Sequence, residues 1–406
     1  MPGKRKIIND PVFGFIAIPN DFLFDLLQHE YVQRLSRIRQ MGLSYFVYPG
    51  ATHTRFLHSL GAMHLMHEAV NALRMKGIDI SHNEGVDAMA AILLHDIGHG
   101  PFSHVLENTL VKDISHEDIS LLMMENINSE MNGKLQGGID IFTDKYPRHF
   151  LHQLISSQLD VDRIDYLCRD AFFCGVTEGT VASERILKML NVRNDELVVE
   201  AKGIYSVEKY LVARRLMYWQ VYLHKTSVAA EQMLINILHR AKQLCLKGEE
   251  LFCSPALRFF LYQDIDAQSF RNGNALQQYA MLDDSDILSS IKVWTTNGDI
   301  VLSTLCKAFC NRKLFKVREL TIPLTEDDKT RLCNKYTEYF GCSDEEALMF
   351  FSEHSSTKDM YSKKDDSISI LMRDGSVKDI AQASDMLNLQ VLTKHVEKHY
   401  LFFYEI

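Results

Sequence analysis

From Val86 to Leu94 every residue except Asp87 is apolar, and the run leads directly into His95-Asp96-Ile-Gly-His-Gly-Pro-Phe-Ser-His104. A helix that is apolar all round has no face to give to water, so other elements must surround it. The segment therefore reads as a buried helix carrying His95 and Asp96 at its C-terminal end. Adjacent imidazole and carboxylate groups are ligands for divalent metal ions. Gly98 and Gly100 read as the residues that let the chain turn sharply beyond them. Two more segments supply what such a site needs: Arg55-Phe-Leu-His58-Ser-Leu-Gly61 and Asp160-Val-Asp162-Arg163-Ile-Asp165-Tyr166.

Most of residues 20–245 read as helix. Ser115 to Asp118 open one of these with capping-box spacing, residues 150–174 form another, and 206–246 hold one long helix or two. The interruption from Leu197 to Tyr205 reads as a short hairpin with Lys202-Gly203 in its turn. Gly248-Glu-Glu250 marks a boundary, dividing the chain into a domain over 1–247 and a second region over 248–406. In that region Ser367 to Lys378 alternates around Asp374-Gly375, a hairpin signal. Lys363 to Asp366 reads as a surface loop and Tyr400 to Ile406 as a last strand. The expected fold class is mainly α: an all-helical core followed by a smaller C-terminal α+β region.

The net charge of −9 argues against a general nucleic-acid binder, because phosphate backbones reward an excess of Lys and Arg. A small anionic substrate stays compatible if its basic contacts are local. No apolar run reaches the roughly 18 residues of a membrane span. Met1 to Ile7 is basic without the apolar stretch of a signal peptide, so a cytoplasmic location is expected. The 8 cysteines form no CxxC pair and read as reduced thiols.

The ordered pattern His58, His95-Asp96, Asp162 resembles the HD superfamily of metal-dependent phosphohydrolases. Asn9 to Gly14, Gln33-Arg-Leu, Phe46 to Ala51 and Tyr222-Leu-His-Lys225 recur with it in order, and the whole string is similar to the dNTP triphosphohydrolase branch. The likeness is specific from about Ile7 to Lys225, weaker to about Lys316 and absent beyond. It implies an HD-domain core in which His58, His95, Asp96 and Asp162 hold a divalent metal ion (Mn, Fe, Zn, Ni, Co or Mg). It further implies metal-activated attack of water on the α-phosphorus of a dNTP, releasing deoxynucleoside and triphosphate. A homo-oligomer acting on a nucleotide substrate is expected on the same ground.

The resemblance also distributes roles. His104 lies beside the scissile phosphate, His116 pairs with Glu107, and one of the two histidines protonates the leaving oxygen, since imidazole titrates near working pH. His99 is a further candidate at the catalytic turn. An acidic chain must hold a triphosphate with particular cations. Arg55, Arg163, Arg214 and Lys225 are candidates, the first three at family positions that touch phosphate. Gln40 and Asp170 match residues that bind the sugar 3′-OH, Tyr166 packs on the nucleotide, and Tyr222 crowds the 2′ carbon. Arg163, Tyr166 and Asp170 share one helix face beside Asp162. His53, His64, His67 and His152 read as structural or surface residues.

Departures from the family pattern are specific. Glu107 stands where the mammalian member has Asp, Arg163 where it has Lys, and Met41 where it has Leu. Lys6, Asn9, Arg34 and Arg312 to Lys316 echo that member's guanine-nucleotide activation site, but its guanine-reading aspartate is Gln28 here and a neighbouring arginine is Ser36. A carboxylate accepts both N–H donors on guanine's edge, whereas a Gln amide offers one acceptor and one opposing donor. Any activator is thus expected to show no strong guanine preference, and a large stimulation by GTP alone would refute this. Two other readings compete: an HD phosphohydrolase acting on another phosphate ester, such as a nucleoside monophosphate or cyclic nucleotide, and a nucleotide-binding regulatory protein with little turnover.

Overall fold

The computed structural model describes residues 6–102, 104–107, 109–111, 113–358, 367–385 and 396–406, apart from the side chains of His104, Glu107, Asn272, Ser356, Thr357, Lys358, Val396 and Glu397. The N-terminal strands β1 (Lys6–Asp10) and β2 (Gly14–Ile18) pair antiparallel as a hairpin. Short helical turns lead from it to α1 (Arg55–Met75). The apolar run then lies in α2 (His82–Leu94), which opens on a Ser81–Glu84 capping box and is buried continuously from Ala88 to Leu94. Helix α1 packs along one side of α2, and a short helix, Gln136–Phe142, packs on another.

Helix α3 (His116–Glu130) begins at the expected capping box, with Ser115 and Asp118 exchanging hydrogen bonds. The helix expected over 150–174 is instead two, His149–Gln153 and α4 (Val161–Cys174). The break has a local cause. The Asp160 carboxylate accepts from the Ser157 and Arg163 backbone N–H groups, so it closes the intervening loop and caps a new helix.

The hairpin between helices is displaced from its expected position. It is formed by β3 (Leu190–Arg193) and β4 (Glu196–Glu200), and its turn is Asn194-Asp195, both with positive φ, 54° and 65°. Asn and Asp tolerate that conformation, which a two-residue hairpin of this hand requires. Lys202-Gly203 lies instead in the 3₁₀ turn that starts α5 (Ile204–Met217). A π-helical segment, Tyr218–Tyr222, separates α5 from α6 (Lys225–Leu246).

Beyond Gly248 the chain stays helical through α7 (Ile300–Cys310), which packs on α6, before strands take over. Strands β5 (Lys316–Leu320), β6 (Phe351–Lys358) and β9 (Val396–Phe403) form an antiparallel sheet in the order β5-β9-β6. The Asp374-Gly375 hairpin is present as β7 (Ser369–Leu371) and β8 (Val377–Asp379), with Gly375 at φ 84°. Strand β7 also pairs in parallel with β4, Val199 opposite Ile370, so the β7–β8 hairpin extends the β3–β4 sheet. The final strand begins at Val396 and ends at Phe403 rather than running to Ile406, and Lys363 to Asp366 fall outside the described residues. The chain is mainly α, a helical core with a smaller strand-containing C-terminal region. Among the described residues no helix is long and apolar enough to cross a membrane, and all eight cysteines are free thiols.

Candidate active site

Three side chains from three helices converge at the end of α2. His58 Nε2 lies 3.1 Å from Asp162 Oδ1, His95 Nε2 lies 3.4 Å from the same oxygen, and the two Nε2 atoms are 3.4 Å apart. Neighbouring ligands at roughly 2.1 Å from one ion are spaced by about this much. The Asp96 carboxylate stands beside the triangle, 3.4 Å from His95 and 3.8 Å from His58, and is also held by Arg55. The ring nitrogens fit the same use. His58 Nδ1 is 2.7 Å from Asp165 Oδ2 and His95 Nδ1 is 2.6 Å from the Ile92 carbonyl oxygen. Each Nδ1–H thus has an acceptor, and both Nε2 atoms face the common point, where a bound metal ion would replace their protons.

The charges are balanced tightly. Burial opposes charge on His58, but its bonds to Asp162 and Asp165 outweigh it and raise the imidazole to about 10. His95 is raised in the same way, burial being overcome by Asp96 and Asp162. Burial would raise the Asp162 carboxyl, yet the two imidazoles hold it well below the usual range. His99 behaves oppositely. Burial and the adjacent Arg55 charge depress it to about 3, so it stands neutral, its Nε2 3.4 Å from Asp96 and its ring stacked on His116 with centroids 3.9 Å apart.

The three aspartates of Asp160 to Asp165 are sorted by helix geometry. Asp160 caps α4. Asp162 and Asp165, one turn apart on the same face, meet respectively the Nε2 side and the Nδ1 side of His58. Behind Asp165 the fully buried Arg169 donates to both its oxygens and to Asp10, whose carboxylate also accepts from the Val12 and Phe13 N–H groups of the β1–β2 turn. Gly61 makes room for this pairing, since a Cβ there would stand 2.0 Å from Asp165 Oδ1 and 2.1 Å from Arg169 Nη2. The spacing of Asp162 and Asp165 carried a signal for the second role. Asp10 lay inside the Asn9 to Gly14 string without an assigned role, and Arg169 lay in no quoted motif.

The turn after Asp96 is held from outside. Buried Arg34 donates to the carbonyls of Ile97, His99 and Leu282, and Ser120 Oγ bridges the Gly98 N–H and the His95 carbonyl. The glycines serve closeness rather than a left-handed turn, because neither Gly98 nor Gly100 is among the residues with positive φ, whereas Phe102 is, at 55°. A Cβ on Gly98 would lie 2.1 Å from the His116 carbonyl oxygen, and one on Gly100 2.6 Å from the Tyr279 hydroxyl.

A cavity of about 450 Å³ opens on the Arg55 side, lined by Gln40, Met41, Tyr166, Asp170 and Tyr222 among others. Tyr222 donates to Asp170 Oδ2 at 2.9 Å, and His53 Nε2 lies 2.7 Å from Oδ1. His53 is therefore not a bystander. Buried and stacked on Phe173, it orients Asp170 from 117 positions away. A second cavity of about 330 Å³ reaches His95, Asp96 and Asp162 from another side, between His116 and His152.

Other expected site residues are placed differently. Arg163 donates to the Ser157 carbonyl and to Asp160, and Arg214 to the Gln158 side chain, so both point to the loop before α4 rather than lining the Arg55 cavity. Lys225 is exposed at the start of α6 and lines a small adjoining cleft with Trp219 and His354. The backbone of His104 to Glu107 is a short helix, and both of these side chains lie outside the described residues.

This fold, with two histidines and an aspartate converging beside the aspartate that follows the second histidine, defines the HD class. The chain belongs to the HD-domain phosphohydrolases: the HD domain matches residues 55–170 and the HD associated region residues 181–330. A crystal structure of a phosphohydrolase from Bacteroides thetaiotaomicron is 56% identical with a TM-score of 0.96, covering 99% of this chain and 100% of that one. The uncharacterized protein YwfO of Bacillus subtilis is 36% identical over 323 residues, 78% of this chain and 72% of its own length. A deoxynucleoside triphosphate triphosphohydrolase SAMHD1 homolog of Dictyostelium discoideum is 30% identical over 268 residues, 61% of this chain and 52% of the homolog.

Proposed function

We propose that this phosphohydrolase acts on deoxynucleoside triphosphates, releasing deoxynucleoside and inorganic triphosphate. The observation that carries the reading is the Tyr222–Asp170 pair, 2.9 Å apart, in one cavity with Gln40 and with the Arg55 that holds Asp96. With both oxygens oriented by Tyr222 and His53, the Asp170 carboxylate keeps lone pairs to accept from a sugar hydroxyl. The Tyr222 ring is then the wall against which a 2′-hydroxyl would press. The name carried by the Dictyostelium relative points the same way.

His58, His95, Asp96 and Asp162 would hold a divalent ion, which would supply charge to lower the pKa of water and offset the anionic phosphate oxygens. In the reaction the water oxygen bonds to the α-phosphorus and gives up a proton, the bond from phosphorus to O5′ breaks, and O5′ takes a proton. On this reading the proton comes from His104 or from the His116–Glu107 pair. Arg55 neutralises phosphate beside these ligands, whereas Arg163 and Arg214 would meet a triphosphate tail only by leaving their partners on the loop before α4.

The test is a product assay with each dNTP, rNTP and dNMP in Mn²⁺, separately and mixed, resolved by ion exchange. Deoxynucleoside and intact triphosphate are expected from dNTPs alone. Orthophosphate from monophosphates would move the enzyme to the second reading, hydrolysis of a smaller phosphate ester. That reading is favoured by one observation: Arg55 is the cation among the described residues lining the cavity, enough for a single phosphate.

A further inference from the structure

With phosphate at Arg55 and sugar at Asp170 and Tyr222, the lining left to meet the base includes Glu231, Gln232 and Ile235 of α6 and His354 of β6. His354 belongs to the C-terminal sheet, far in sequence from every other group of the cavity. Its position is nonetheless set by α6. Asn236, buried one residue after Ile235, donates to the Met349 carbonyl at 2.9 Å and lies 3.2 Å from Ser352 Oγ, tying the start of β6 to the helix that carries Gln232. On its other side β6 pairs with β9, His354 opposite Tyr400, and the ring lies 6.4 Å from Phe402 in edge-on contact.

We propose that His354 and Gln232 read the base of the bound nucleotide, so that the C-terminal sheet selects among substrates. The inference deepens the nucleotide-hydrolase reading and rests on it. An amide and a neutral imidazole each offer a donor and an acceptor, as base edges do, and burial lowers the His354 imidazole toward its neutral form. A site that hydrogen-bonds one edge disfavours a base that leaves those groups unpaired.

The test compares the four dNTPs in the wild type, His354→Phe, His354→Gln and Gln232→Leu, by kcat/KM in competition and by equilibrium binding. Phenylalanine keeps the ring's bulk and removes its polar atoms. The expected result is a shift of roughly 5–10-fold in the ratios between bases for His354→Phe, partly restored in His354→Gln, with metal content unchanged. An equal loss for all four, as a purely structural role would give, overturns the proposal, and so does no change in any ratio. If the wild type cleaves monophosphates or cyclic nucleotides instead, the dNTP reading fails by itself. The same four-base comparison on that ester, or by binding alone, then supports or overturns the role of His354 by the same criterion.

Discussion

Replacing His95 and Asp96 together by alanine is expected to abolish metal retention and to lower turnover by at least roughly a thousandfold, beyond the ~10²–10³ that removal of one electrostatic stabiliser costs. The change removes one corner of the His58, His95, Asp162 triangle and the carboxylate beside it. What is left is one imidazole and one carboxylate, too few to hold an ion against water. The helix itself should survive, because His95 is the C-terminal cap of α2, where alanine is tolerated, and the apolar face from Ala88 to Leu94 is untouched. Some stability is lost with the partner of Arg55, so a melting curve belongs beside metal analysis of the gel-filtered protein. A folded double variant that turns over at the wild-type rate would end the assignment of this cluster as the active centre.

Arg169→Met is expected to have the largest effect on stability. Arg169 is fully buried between Asp165 and Asp10, with bonds to both. Methionine fills part of the space but leaves two carboxylates buried without their cation, which costs about 3–5 kcal/mol when one partner of a buried pair is removed. Denaturant unfolding reads this directly, and a loss near zero would mean that the carboxylates find other partners. The functional arm of the same network is Asp165→Asn. The shape is kept, but the charge that orients His58 is lost, and metal affinity should fall about 10–100-fold, as for other groups that hold a ligand from behind. Unchanged affinity with normal unfolding would show that Asp165 packs His58 without tuning it. Because the asparagine variant leaves Arg169 paired to Asp10, it remains informative even if Arg169→Met fails to fold.

Local chemistry was legible in the chain. The apolar run that becomes α2, the Ser115 capping box and the Asp374-Gly375 hairpin depend on residues within a few positions of one another, and they formed where expected. The donor types of the candidate metal site were readable from the chain as well, because imidazole and carboxylate in that order have few other uses. The errors were also local in kind. The helix expected over 150–174 was interrupted by an aspartate whose capping role competes with the helical pattern, and the hairpin slid to Asn194-Asp195 because those residues accept positive φ.

What the chain alone determined, then, is which groups are available and which helices present them: His58 on α1, His95 and Asp96 at the end of α2, Asp162 on α4. Only the tertiary structure decided which atom of each faces the common point, and that Asp10, Arg169 and Asp165 stand in series behind His58. It alone decided that His53 orients Asp170 across 117 positions and that a C-terminal strand brings His354 to the Arg55 cavity. The reason is physical. Helical periodicity sets a side chain's direction to within a face, whereas a hydrogen bond between buried groups depends on how whole helices pack, to a fraction of an ångström, against neighbours remote in sequence.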